Sequence, residues 1–144
     1  MKIDLPPRWL TGRVRRVNLD GTFQCMLHLG FGVHFEKRVH VEALTLRNLS
    51  KEQHDAAHHC LLVLMGGKDI YALTQYADGV EQAAPSHVMA RVYLAVRVKD
   101  LQAPGLSTVP GVSHPVLAIS DFMSYLATKR YDVEVVKHVL NGGP

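Results

Sequence analysis

The sequence predicts an α+β fold, mainly β: a small five-stranded barrel with two or three helices packed on it. Three observations predict it. Apolar and polar residues alternate through early segments with the two-residue period of half-buried strands. After Ser50 the period lengthens to that of a helix. Past residue 68 the chain returns to short strand-like runs and then to a last helical stretch. A chain of 144 residues suits one domain, 1–144, with a real core.

Residues 8–17, RWLTGRVRRV, set Trp9, Val14 and Val17 among basic side chains, as a strand rimmed with arginine does. In NLDGT, Asp20-Gly21 marks a hairpin turn, because glycine accepts positive φ without a Cβ clash. Through 22–29, TFQCMLHL, the residues Phe23, Cys25, Leu27 and Leu29 alternate against Thr22, Gln24, Met26 and His28. VHFEKRVHVEAL supplies a third strand with Phe35, Val39 and Val41 inward, and its spacing breaks near Glu36-Lys37 as at a bulge. Three consecutive antiparallel strands make a meander.

Ser50 opens a helix, with Gln53 in the capping-box place. Ala56, Ala57, Cys60, Leu61 and Leu64 recur at helical spacing, and Gly66-Gly67 ends the run. DIYALTQY (69–76) and HVMARVYLAVRV (87–98) are the fourth and fifth strands, joined by a turn at 77–86. Residues 101–117, with Pro104, Gly105, Pro110, Gly111 and Pro115, form an irregular arm. The region 118–144 holds a C-terminal helix and tail. Ser120 or Asp121 caps that helix, which buries Phe122, Tyr125 and Leu126, and the tail YDVEVVKHVLNGGP fits strand or helix. Three strands, a helix and two more strands are the order of an OB-type barrel.

Composition narrows the function. With 47% hydrophobic and 20% charged residues the chain is ordinary for a globular domain. A net charge of +3 permits nucleic-acid contact without demanding it, and argues against a DNA mimic, which needs a dense negative surface. Cys25 and Cys60 have neither metal-finger nor redox spacing; they read most simply as two reduced core thiols, with one disulfide as the alternative. MKIDLPPRWL lacks the apolar stretch of a signal peptide, and CLLVLMGG is too short to cross a bilayer. A soluble product without a membrane partner is expected.

The frame VNLDGT (17–22), LGFG (29–32) and RVHVEALTLRN (38–48), followed by the Ser50 helix, resembles the phage and bacterial branch of the staphylococcal-nuclease-like (thermonuclease) proteins. The likeness covers roughly the first 65 residues and, more loosely, the strand at 87–98. It implies an OB-type barrel and metal-assisted phosphodiester cleavage. Carboxylates would hold calcium, a glutamate would prepare the attacking water, and two arginines would neutralise the phosphate. Position by position, the family's D-G-D turn falls on Leu19-Asp20-Gly21, so neither aspartate stays in register. The strand arginine falls on His40, the next aspartate on Thr45, the glutamate on Asn48 and the later arginine near His87. Asp20 is one position out, which on a strand would turn it to the other face. The catalytic set is gone, so no catalytic residue and no cofactor are expected.

Other constellations are weaker. His54 and His58, with His59 and Asp55, place two imidazoles on one helix face in metal-ligand spacing, but the favoured reading is a solvated polar face. His40 and His87 are the pair an acid–base phosphodiesterase would use. Arg13, Arg15 and Arg16, with Arg8, Lys37, Arg38 and Arg47, are candidates to track a phosphate backbone; the nucleic-acid-binding set is Arg13, Arg15, Arg16, Lys37 and Arg38. Trp9, Phe23, Phe31, Phe35 and Tyr71 are the aromatics on which bases would stack. No phosphate-cradling glycine loop or nucleophile elbow is present. The sequence thus favours a catalytically inactive, phage-encoded module with a protein partner: itself, a host factor or a virion component. Its expected place is the host cytoplasm or the virion. The alternative is a non-catalytic single-stranded nucleic-acid-binding domain, followed by a residual metal-independent nuclease.

Overall fold

The computed structural model describes residues 8–30, 32–44, 46, 48–74, 87–96, 98 and 100–141, with the backbone alone at 29 and 30. Its elements run β1 (Arg8–Val17), β2 (Phe23–Gly30), β3 (Val33–Val41), α1 (Lys51–Met65), β4 (Asp69–Thr74), β5 (His87–Leu94), β6 (Leu106–Ser107), β7 (Val116–Ala118), α2 (Ile119–Thr128) and α3 (Val133–Asn141). The sheet order is β3-β2-β1-β4-β5-β7-β6, and a further β3–β5 pairing closes the first five strands into a barrel. That closing pair is parallel, Arg38–Val41 against His87–Ala90, whereas the other pairs are antiparallel. The result is a mixed five-stranded barrel with three helices, compatible with the OB type. The turn expected at 77–86 lies outside the described residues, as do Phe31, Thr45 and Arg47.

Alternation decides the inside of the barrel. Leu10, Val14, Phe23, Cys25, Leu27, Val39 and Val41 turn inward and join Ile70, Ala72, Ala90 and Val92 in one core. Gly12 sits where a side chain would not fit, since a Cβ there would stand 2.7 Å from Cys25 Sγ. The bulge expected near Glu36-Lys37 is elsewhere. β3 pairs without a break from Phe35 to Val39, and the register of β1 against β2 shifts between Val14 and Arg16. Arg15 is the extra residue, and both it and Arg16 are exposed. Phe35, expected inward, is 47% exposed. It shares a face with Val39, yet β3 pairs with β5 only from Arg38 onward, so Phe35 lies beyond the closed part of the barrel.

α1 forms as its sequence predicts. Ser50 accepts from the Gln53 amide while the Gln53 side chain accepts from the Ser50 amide, which satisfies two N-terminal donors. Ala57, Cys60, Leu61, Leu64 and Met65 are buried. At the other end the Lys68 ammonium donates to the carbonyls of Val63 and Leu64. α2 starts at Ile119, earlier than expected, from an extended Ala118 without a side-chain cap; it buries Phe122, Met123 and Leu126, whereas Tyr125 is half-buried. The ambiguous tail is helical: α3 buries Val136 and Val139 and packs on α1. The Pro/Gly arm is mostly irregular, with the short β6–β7 hairpin laid against the end of β5. No helix among the described residues is long and apolar enough to cross a membrane.

Candidate functional site

The β1–β2 turn brings a carboxylate to the closing seam of the barrel. Gly21 adopts φ +89°, a left-handed conformation that glycine takes without a Cβ clash. The Asn18 carbonyl accepts from the Gly21 amide, and the Thr22 carbonyl from the Asn18 amide. Asp20 Oδ1 accepts from the Thr22 amide at 2.9 Å and from its hydroxyl at 2.6 Å. The Thr22 hydrogen bond holds the Asp20 carboxyl below its ordinary range, with help from the charges of Arg38 and His40. Because Asp20 sits in a turn, the face alternation of a strand does not apply, and it lines one cleft with His40. That cleft, about 400 Å³, is walled by Asp20, Gly21, Thr22, His40, Leu44 and His54, among others.

On the seam, His40 of β3 and His87 of β5 meet directly. Their facing nitrogens, Nε2 and Nδ1, lie 2.9 Å apart, and the rings stack with centroids 5.0 Å apart. One ring donates and the other accepts, so the hydrogen-bonded pair carries at most one proton more than its neutral form. Burial, then the neighbouring His87, holds His40 below the usual imidazole pKa. Residues that the sequence placed at the two arginine positions are therefore in contact.

Beside them runs a cross-strand row. Arg16 of β1 pairs with Gln24 of β2, Gln24 with Arg38 of β3, and Arg38 with His87 of β5. Gln24 lies between buried Phe23 and Cys25, Arg16 and Arg38 each precede a buried valine, and register partners share a face, so the row belongs to the outer face. Arg38 Nε is buried with no hydrogen-bond partner among the described residues.

The next outer row is Arg13, Met26 and Glu36. Arg13 donates through Nε and its terminal nitrogen to Asp69, at 2.9 and 3.3 Å. That pairing holds the Asp69 carboxyl below its ordinary range. Arg13, Arg15, Met26, His28, Lys68 and Tyr71 are among the residues lining an open groove of about 770 Å³ over β1, β2 and β4.

The candidate residues thus divide. Arg16, Arg38, His40 and His87 gather on one part of the outer face, with Asp20 at its edge, and Arg13 and Arg15 occupy the adjoining groove. Lys37 shares the face of Val39 at the open end of the barrel, over the Phe35 ring at 5.4 Å. Leu19 is exposed beside the cleft, and Asn48 is a non-glycine residue at φ 64° between β3 and α1. His54 reaches the cleft, but His58 Nε2 is 3.2 Å from the Val17 carbonyl, so the two helix histidines do not converge. Among the described residues no three His, Cys, Asp or Glu side chains gather as a metal centre. Of the aromatics, Phe23 is buried and Trp9 leans on Tyr93 at 5.4 Å, while Phe35 is exposed and Tyr71 half-buried. Lys68 and His28 were not singled out by sequence; only the β1–β2–β4 pairing puts them beside Arg13. In comparisons with known proteins, no family model, curated protein or solved structure matches this chain.

Proposed function

We propose that the chain is a non-catalytic, staphylococcal-nuclease-like barrel that binds single-stranded nucleic acid across the outer face of β1, β2 and β3. The cross-strand row of Arg16, Gln24, Arg38 and His87 carries this reading. It lays two guanidiniums and a histidine across four strands, the kind of spread charge that tracks a phosphate backbone. Arg13 and Arg15 extend the basic track into the neighbouring groove, where Tyr71 offers a ring for a base. Against cleavage stand Leu19, Gly21, His40, Asn48 and His87 at positions where the resembling family keeps its carboxylates and arginines. His40 and His87 also engage one ring nitrogen each with the other.

Sequence alone ranked a protein partner first; we rank nucleic acid first because Arg16, Arg38 and His87 share one face. The protein-partner reading keeps one observation of its own. Leu19 is 65% exposed next to Asp20, and Met89 is 51% exposed opposite His40, so exposed apolar side chains neighbour two residues of the cleft in sequence and in register. A host or virion protein would dock there.

Fluorescence anisotropy of a labelled single-stranded oligonucleotide, with calcium present, separates the readings. The expected result is a rise that fades steeply with salt and drops at least fivefold in affinity in Arg16→Ala. A flat titration at low salt overturns nucleic-acid binding in favour of the protein partner. A fall below the value of the free oligonucleotide means cleavage and overturns the non-catalytic assignment.

A further inference from the structure

At the far end of the β2–β3 hairpin, His28 and His34 stand directly opposite each other in the antiparallel register. Directly opposite residues share a face with their Cβ atoms close together. The two rings touch edge to face, centroids 4.5 Å apart and planes at 82°. Neither ring has a hydrogen-bond partner among the described residues. This separates the pair from His40 and His87, which bond each other, and from His58, which faces the Val17 carbonyl. His34 is exposed and His28 opens into the groove over β1, β2 and β4, so the site is reachable from solvent.

We propose that His28 and His34 form a two-histidine chelate for a divalent transition-metal ion of the zinc class. Zinc takes imidazole nitrogens at ~2.05 Å, so two of them at a tetrahedral angle sit roughly 3.3 Å apart. Rings already in contact on one face reach that separation by turning about their own side-chain bonds. The register shift between His28 and Gly30 follows immediately, so the pair stands at the end of the unbroken ladder. Asp69 lines the same groove as His28. Its carboxylate is held by Arg13, so water completes the coordination and the ion exchanges readily. A bound ion ties β2 to β3 at the part of the hairpin that extends beyond the closed barrel. The proposal is independent of nucleic-acid binding.

The test is isothermal titration of the untagged full chain with zinc chloride, repeated with nickel chloride. One equivalent is expected to bind, with affinity reduced at least tenfold in His28→Gln and in His34→Gln. His58→Gln and His40→Gln are expected to bind as the parent does, and so is Arg16→Ala whatever it does to oligonucleotide binding. Circular dichroism establishes that each variant is folded. Absence of saturable binding of either ion overturns the site. So does binding that survives both hairpin substitutions, or that follows His40→Gln or His58→Gln instead.

Discussion

His40 and His87 face each other at 2.9 Å across the parallel β3–β5 pairing that closes the barrel. Their hydrogen bond requires one ring nitrogen to accept, so a second added proton breaks it. His40 is held below its ordinary value by burial and then by His87, with Arg38 acting the same way and Asp20 opposing. In the unfolded chain it titrates near ~6.5. Between the two values the unfolded state binds more protons, so stability rises with pH. The contribution is complete above the unfolded value and lost as pH falls below it toward the folded value. Asp20 and Asp69, both shifted down, act only below ~4, outside this window. The unfolding temperature is expected to fall between pH 7.5 and 5.5, and to fall less in His40→Gln. Identical slopes in the two proteins would show that this pair does not sense pH.

Gly12 lies on β1 between Leu10 and Val14, at an inward position. A Cβ there meets Cys25 Sγ at 2.7 Å and both Leu27 Cδ2 and the Met26 carbonyl at 3.0 Å. Two of these neighbours are buried side chains and the third is backbone, so little can give. Gly12→Ala is expected to lower stability by about 1–3 kcal/mol, the usual cost of overpacking a core. Urea denaturation measures it; an unchanged midpoint would mean that β1 and β2 separate at no cost.

Both cysteines are free and buried, which leaves no place for the alternative of a disulfide. Burial pushes the Cys25 thiol up to about 12. Cys60 rises to about 11, chiefly by burial and also through the charge of Asp132, and its thiol donates to the Tyr131 carbonyl. Since the thiolate is the reactive form, neither cysteine is expected to react with a disulfide reagent at pH 8 while the chain is folded. Two equivalents should appear in denaturant. Fast labelling of the native protein would contradict the packing of α1 on the barrel and α3.

What the sequence disclosed was local. The alternation of Phe23, Cys25 and Leu27, the Asp20-Gly21 turn and the Ser50–Gln53 box depend on neighbours a few residues away, and each formed as expected. The tail was ambiguous because short apolar runs suit both periods; packing of Val136 and Val139 on α1 decided for a helix. Phe35 and Arg15 escaped because barrel closure and bulge position are set by pairing between distant strands. The site was half legible. The resemblance set His40 and, more loosely, His87 at the family's two arginine positions, whereas their contact and the row through Arg16, Gln24 and Arg38 need the register of four strands. Asp20 was expected to turn away, and only the turn geometry returns it to the cleft.

α1 connects the capping chemistry to the cleft, because His54 on its first turns forms part of the cleft wall. Ser50 Oγ accepts from the Gln53 amide at 3.2 Å, and Gln53 Oε1 accepts from the Ser50 amide at 3.3 Å. Ser50→Ala removes the first bond and leaves an amide of the first turn to water, at a cost of about 1 kcal/mol. Ser50→Asp keeps an acceptor and adds a charge that suits the helix N-terminus, so it is expected to match or exceed the parent. Thermal unfolding of the three proteins at neutral pH checks the order. Alanine as stable as serine would mean that the cap contributes nothing to holding α1. Aspartate as poor as alanine would mean that the hydroxyl matters for something other than capping.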